Sequence, residues 1–190
     1  MRKLTYFIAC TVDGFIARED GSFDFFPMTG EHIPYIVAEY PETIPGHLRD
    51  ALGVRARNAH FDTVLMGRNT YEVGSAIGVT SPYTHLRQYV VSRTMATSPS
   101  PDVQLVPMGA MDLVLGLKRE AGLDIWLCGG AGLAGSLYDA IDELIVKVYP
   151  VVLGAGIGLF AGVRGPTRLE LTDHRTFAGG VAIHRYDVVK

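Results

Sequence analysis

Cysteine, tryptophan and charge are all scarce in this chain, and each shortage closes off a class of function. Of 190 residues only two are cysteine and one is tryptophan. Cys10 and Cys128 lie far apart in apolar runs, the setting of reduced core thiols, so no disulfide framework is expected. None of the six histidines stands at the short spacing that puts two ligands on one face of an element, and no metal site is expected. Charged residues make up 19% of the chain and the formal net charge is −3. There is no basic stripe, which argues against nucleic acid as a partner. No apolar stretch reaches the length of a membrane-spanning helix. The start, MRKLTYFIACTVDG, is basic and then apolar, but Asp13 and Gly14 interrupt it and no small-residue cleavage pattern follows. It reads as a first strand, and the chain as a cytoplasmic protein with no membrane partner.

What is abundant is apolar sequence, 48% of the residues, enough for one sizeable core in a single domain spanning 1–190. Strand-like runs fall at 4–12, 62–66, 88–92, 102–106, 123–128, 143–150, 168–177 and 180–189. Helical spacing appears at 46–58, 69–75, 109–121 and 131–140, where Leu133, Leu137 and Ile141 recur every fourth residue. Strands alternating with helices predict a mostly parallel α/β sheet of about eight strands, and the short turn at Ala178-Gly179-Gly180 predicts an antiparallel C-terminal hairpin. Residues 143–149 form a nearly continuous apolar run, as in a strand buried on both faces, with Lys147 as the one exception, expected to snorkel or to meet a partner. Residues 23–46 mix aromatics, prolines and acids without a sustained period and read as a long loop with a helical turn or two, placed as a lid over a site.

Glycine carries the chemistry. In Gly129-Gly130-Ala131-Gly132-Leu133-Ala134-Gly135 the turn follows an apolar strand and opens a helix, where missing Cβ atoms let main-chain amides approach a phosphate. The alternative is a turn that needs glycine only for tight packing. As a Rossmann fingerprint it falls short, because the acidic residue expected about 20 positions on falls near Ala155 in a second Gly-rich loop. Two other strands end in anion-binding groups. DTVLM runs into Gly67-Arg68-Asn69-Thr70, in which Asn69 or Thr70 can cap the next helix, and QYVV runs into Ser92-Arg93. If these three strand ends adjoin, one ligand carrying several phosphates meets all of them, and guanidinium beside a ribose favours NADP over NAD.

TVLMGRNTYE, YVVSRT and IWLCGGAGL, in that order after a first strand carrying Val-Asp-Gly-Phe-Ile-Ala, resemble the dihydrofolate reductase fold. DELIVKVYPVVLGAGIGLF followed by LELTDHRTFAGGVAIHRYDVV is similar to the reductase domain of riboflavin biosynthesis, the C-terminal half of the bifunctional deaminase-reductase. The resemblance implies an NADPH-dependent reductase, a homodimer, acting on a small pyrimidine- or pterin-like substrate such as 5-amino-6-(5-phosphoribosylamino)uracil. It places Ala9 and Ile16 beside the nicotinamide, and Gly67, Arg68, Asn69 and Thr70 on the pyrophosphate and adenosine phosphate. Ser92 and Arg93 fall at the adenosine end, and Gly129 through Ala134 (Gly129, Gly130, Ala131, Gly132, Leu133, Ala134) over the pyrophosphate. The zinc deaminase signature, H-x-E with a later P-C-x-x-C, is absent, so a reductase standing alone is expected. Two departures bear on the substrate. Cys128 stands where biosynthetic members place an acid before the glycine turn, and the pterin-binding carboxylate of the folate enzymes has only Glu39, Glu42 and Asp50 as candidates.

For the proton that must accompany a hydride, the candidates are Asp13 and Asp24. Asp13 is equally an Asp-Gly turn residue, and Asp24, flanked by Phe23, Phe25 and Phe26, is expected to have a raised pKa under a closed lid. The other readings are a folate or pterin reductase and a nucleotide-binding homodimer without turnover.

Overall fold

In the computed structural model, which describes every residue except Pro99, Arg164 and Lys190, the apolar runs become one sheet. Its strands are β1 (Leu4–Thr11), β3 (Phe61–Gly67), β4 (Arg87–Val91), β5 (Val103–Val106), β6 (Asp124–Gly129), β7 (Glu143–Tyr149), β9 (Leu169–Thr176) and β10 (Ala182–Val188). They lie in the order β5-β4-β3-β6-β1-β7-β10-β9. Every pairing from β5 to β7 is parallel, and β10 runs antiparallel to both β7 and β9. The expected mixed α/β sheet with a C-terminal hairpin is the sheet observed. A separate two-stranded ribbon joins β2 (Phe15–Ala17) to β8 (Ile157–Gly158). Both strands are too short to show a period in sequence.

Parallel strands need cover on both faces. On one face α4 (Ala110–Leu117) and α5 (Ala131–Ser136) bury Leu4, Tyr6, Leu65, Leu127, Leu133 and Leu137. On the other, α1 (His32–Glu39) and α3 (Arg68–Ser75) contribute Ile36 and Tyr71 to a cluster with Phe7, Phe61, Met66, Trp126 and Ile145.

The helical turns expected within 23–46 are α1, eight residues long, and a 3₁₀ turn at Pro41–Thr43. Ile33, Ile36, Val37 and Tyr40 recur at helical spacing there, a stripe too short to stand out among prolines. Conversely, of 46–58 only α2 (Gly46–Arg49) is helical. Gly53 adopts a left-handed φ of 66°, and the Val54 amide turns back to the Arg49 carbonyl at 2.8 Å, ending the helix.

None of the three candidate pterin carboxylates is free for a ligand. Glu42, fully buried, accepts the amides of Ala59, His60 and Phe61 at 3.2, 2.7 and 2.8 Å and so fastens the turn after α1 to the start of β3. Glu39 meets His60 at 3.1 Å, and Asp50 pairs with Arg55 on the surface.

Candidate active site

The strand order makes β4, β3 and β6 neighbours, so the three motifs that follow them share the carboxyl edge of the sheet. Gly67 is opposite Val91, one residue before Ser92, and Met66 is opposite Gly129. From that edge rise the starts of α3 and α5. Their N-terminal neighbours are Gly67 and Gly130; neither start has a side-chain cap or an acid in its first turn. Asn69 and Thr70 therefore lie inside α3 and do not cap it, because the helix begins one residue earlier than its sequence suggests. Uncapped helix starts leave amide donors and a positive dipole end without an internal partner.

The side chains around these starts sort into two groups. Arg68 and Asn69 are exposed, and Arg68 Nε comes within 3.9 Å of Glu72. Arg93 is exposed, whereas Ser92 is buried and its Oγ accepts the amides of Thr94 and Met95 at 3.3 and 3.1 Å. Ala131, Leu133 and Ala134 point into the core, leaving only their main chain for a ligand. Gly132 is exposed, and a methyl group added there would meet nothing within 4 Å. On Gly130 such a group would meet Thr70 Oγ1 alone, at 3.6 Å. Gly135 differs, because an added Cβ would fall on the Ala161 carbonyl oxygen. Within one turn, then, Gly135 serves packing and Gly130 and Gly132 keep main chain open. Ala9 and Ile16 are both half-buried, Ala9 beside Phe26 and Tyr149 and Ile16 against the α5 face of the core.

Both acids are engaged within the fold. Asp13 accepts from Thr11 Oγ1 at 2.6 Å, from the Leu153 amide at 3.1 Å and from the Gly154 amide at 2.7 Å, tying the β1–β2 turn to the loop after β7. These bonds pull its pKa down from 3.8 to about 2, so it stays a carboxylate. Its contribution to stability is complete above pH 4 and is lost as the pH falls toward 2. Acid unfolding of Asp13→Ala and wild type should therefore differ at pH 6 and converge near pH 2, which chemical denaturation across that range will show. Asp24 is exposed and paired with Arg18, which lowers its pKa where a rise was expected. The three phenylalanines around it in sequence do not enclose it.

The sheet face under α1 carries what motif reading passed over. Lys147 of β7 is opposite Ala9 of β1, and its ammonium lies 4.3 Å from the centre of the Phe7 ring. Burial lowers its pKa from 10.5 to about 8. Cys128 of β6 is raised to about 12 by burial, with Tyr83 beside it also raised. His32, at the start of α1, is 2% exposed and packs edge-on against Tyr149 at 5.3 Å, with no hydrogen-bond partner for Nε2. The signal for Lys147 was in plain sight, a lone charge in an apolar strand; His32 had none, because its partners come from β7 and the C-terminal hairpin.

A sheet of this order with nucleotide-type turns at its carboxyl edge defines a dihydrofolate reductase-like domain. Residues 2–183 match the family described as the RibD C-terminal domain, and the chain belongs to that family. Among its relatives in Bacillus subtilis (strain 168), the uncharacterized protein YwjB is 33% identical over 185 residues, covering 96% of this chain and 97% of YwjB. The uncharacterized protein YyaP is 28% identical, covering 95% and 92%. Two solved structures share the fold. A diaminohydroxyphosphoribosylaminopyrimidine deaminase/5-amino-6-(5-phosphoribosylamino)uracil reductase from Thermotoga maritima superposes with a TM-score of 0.65 at 14% identity, over 99% of this chain and 57% of that one. Dihydrofolate reductase from Enterococcus faecalis, complexed with NADP(H) and RAB-propyl, gives 0.61 at 13% identity, over 99% and 97%.

Proposed function

We propose that the protein is an NADPH-dependent reductase of the riboflavin-biosynthesis reductase type, acting on a small pyrimidine- or pterin-like substrate. The observation that carries this is the pair of uncapped helix starts at Gly67 and Gly130, rising from adjoining strands beside exposed Arg68 and Arg93. An anion held there takes main-chain donors from two helices at once. The residues fit the coenzyme: the open glycines Gly130 and Gly132 admit a pyrophosphate to the main chain, and Arg68 and Arg93 supply charge for a 2′-phosphate. When bound, NADPH supplies the hydride. The chain's own residues orient and exclude water. Ala9, small and half-buried at the carboxyl end of β1, leaves room for a flat ring beside it, and the substrate lies on the face shared by Lys147, Cys128 and α1. The protein works as a cytoplasmic homodimer.

Support comes from the family and from the two structures with reductase names, one of them named with NADP(H). The test is coenzyme binding followed by oxidation of NADPH, read at 340 nm, with candidate oxo-pyrimidines and pterins. Arg68→Ala should weaken NADPH about tenfold, the loss of one charge-assisted contact, and leave NADH nearly unchanged. Equal effects on the two coenzymes would remove the 2′-phosphate role. NADPH binding with no turnover on any candidate would favour the nucleotide-binding homodimer.

A further inference from the structure

We propose that Lys147 is the anchor for an anionic oxygen, so that the substrate of this site carries a carboxylate or an ionised ring oxygen close to the carbon that is reduced. This rests on the reductase reading for what happens to the substrate, but the anion site itself does not require it.

The argument is one of missing counter-charge. A buried ammonium is normally paired, because taking an unpaired charge out of water is unfavourable. Among the described residues, Lys147 takes part in no ion pair; the Phe7 ring lies under its ammonium, and the groups it feels electrostatically, Cys128 and His32, carry no negative charge to pair with it. The one buried acid on β7, Glu143, is already shared by Lys3 and Arg185, at 3.2 and 2.8 Å. The two titratable groups coupled to Lys147, Cys128 and His32, are held neutral, and so are the tyrosines beside them. From β6 comes the Cys128 thiol, pushed up to about 12, and with it Tyr83. From its own strand comes Tyr149, also raised to about 12. From α1 comes His32, kept uncharged by burial and by Lys147 itself. In the same row across the sheet the register runs Ala9, Lys147, Ile183, Arg175, which puts a second cation two strands away, about 10 Å. Arg175 stacks on Tyr35 of α1 at 4.5 Å.

A second unmet group points the same way. His32 Nε2 is buried without a partner, and its ring lies against Tyr149, two residues along β7 from Lys147. An unpaired ammonium and an unpaired ring nitrogen on one sheet face are together what the edge of an anionic heterocycle would satisfy. Ala9, the smallest side chain in this row, stands opposite Lys147 on β1. A ligand anion here gains a charge-assisted bond to the half-buried amine.

The experiment uses matched probes, acetate, benzoate and orotate against acetamide, benzamide and orotamide, at constant ionic strength. Melting temperature is read for wild type, Lys147→Met and Lys147→Arg, with and without NADPH. Carboxylates should raise the wild-type value by about 2 °C or more at millimolar concentration, the amides should not, and the shift should fade above pH 9. Lys147→Arg should keep the shift and Lys147→Met should lose it. Equal shifts by amides and carboxylates, a shift that persists in Lys147→Met, or no carboxylate shift in wild type would each overturn the proposal. NADPH alone, added to wild type and to Lys147→Met, reports on the coenzyme separately, so failure of one reading is not mistaken for failure of the other.

Discussion

Lys147→Met should be more stable than wild type at pH 7 and no more stable at pH 11. Methionine fills a similar volume without a charge, so the exchange removes an uncompensated ammonium from beside Phe7 and Cys128. The direction follows from linkage. The folded-state pKa of about 8 lies below the unfolded value of 10.5, so between those values the unfolded chain binds more protons and stability rises with pH. Below pH 8 the penalty is fully present; above pH 10.5 it is gone. Its upper bound is about 3 kcal/mol, reduced toward ~1 kcal/mol because water reaches part of the half-buried side chain. Urea denaturation of both proteins at pH 7, 9 and 11 should show wild type closing the gap. A variant that is less stable at pH 7 would mean that the ammonium has a partner within the fold. A gain in stability coupled to loss of anion binding is the expected mark of a group kept for function.

Gly135→Ala should unfold the protein more readily by about 3 kcal/mol or more, while Gly132→Ala, three residues earlier in the same helix, should change stability by less than about 1 kcal/mol and in the favourable direction. The methyl group at 135 would occupy the place of the Ala161 carbonyl oxygen, so α5 and the Gly-rich loop after β8 must separate. At 132 the methyl group meets open space, and the helix gains from losing a glycine. NADPH affinity should report the reverse order of importance: Gly132→Ala keeps its fold and weakens the coenzyme, because its methyl group stands on the exposed side of the turn. Denaturation midpoints paired with NADPH titrations will separate the two. A Gly132→Ala protein that binds NADPH as wild type does would make that glycine dispensable to the site.

The glycine turn illustrates how much of the site was legible. Its fingerprint spacing named the turn and the helix behind it, but Gly130, Gly132 and Gly135 look alike in a sequence, and only Ala161 arriving from elsewhere distinguishes the third. The acids show the same limit in a harsher form. Asp24 among three phenylalanines suggested a raised pKa, yet those neighbours in sequence turn elsewhere and Arg18 claims the carboxylate. Asp13 reads from sequence equally as a turn residue and as a proton donor, and only the fold shows the loop after β7 bringing two amides to it. Glu42 was a candidate substrate ligand until Ala59, His60 and Phe61 were found to use it up.

Periodicity alone determined the large elements of this protein: six strands of a parallel core, a C-terminal hairpin, and the helix behind the glycine turn. Each of these follows from local pattern, short apolar runs, a fourfold leucine spacing and a glycine turn, which the backbone reads within a few positions. Strand order, and with it the meeting of Gly67, Ser92 and Gly130 at one edge, came only with the tertiary structure. So did the isolation of Lys147, since whether a buried charge has a partner depends on residues that are distant in sequence and are brought near only by packing.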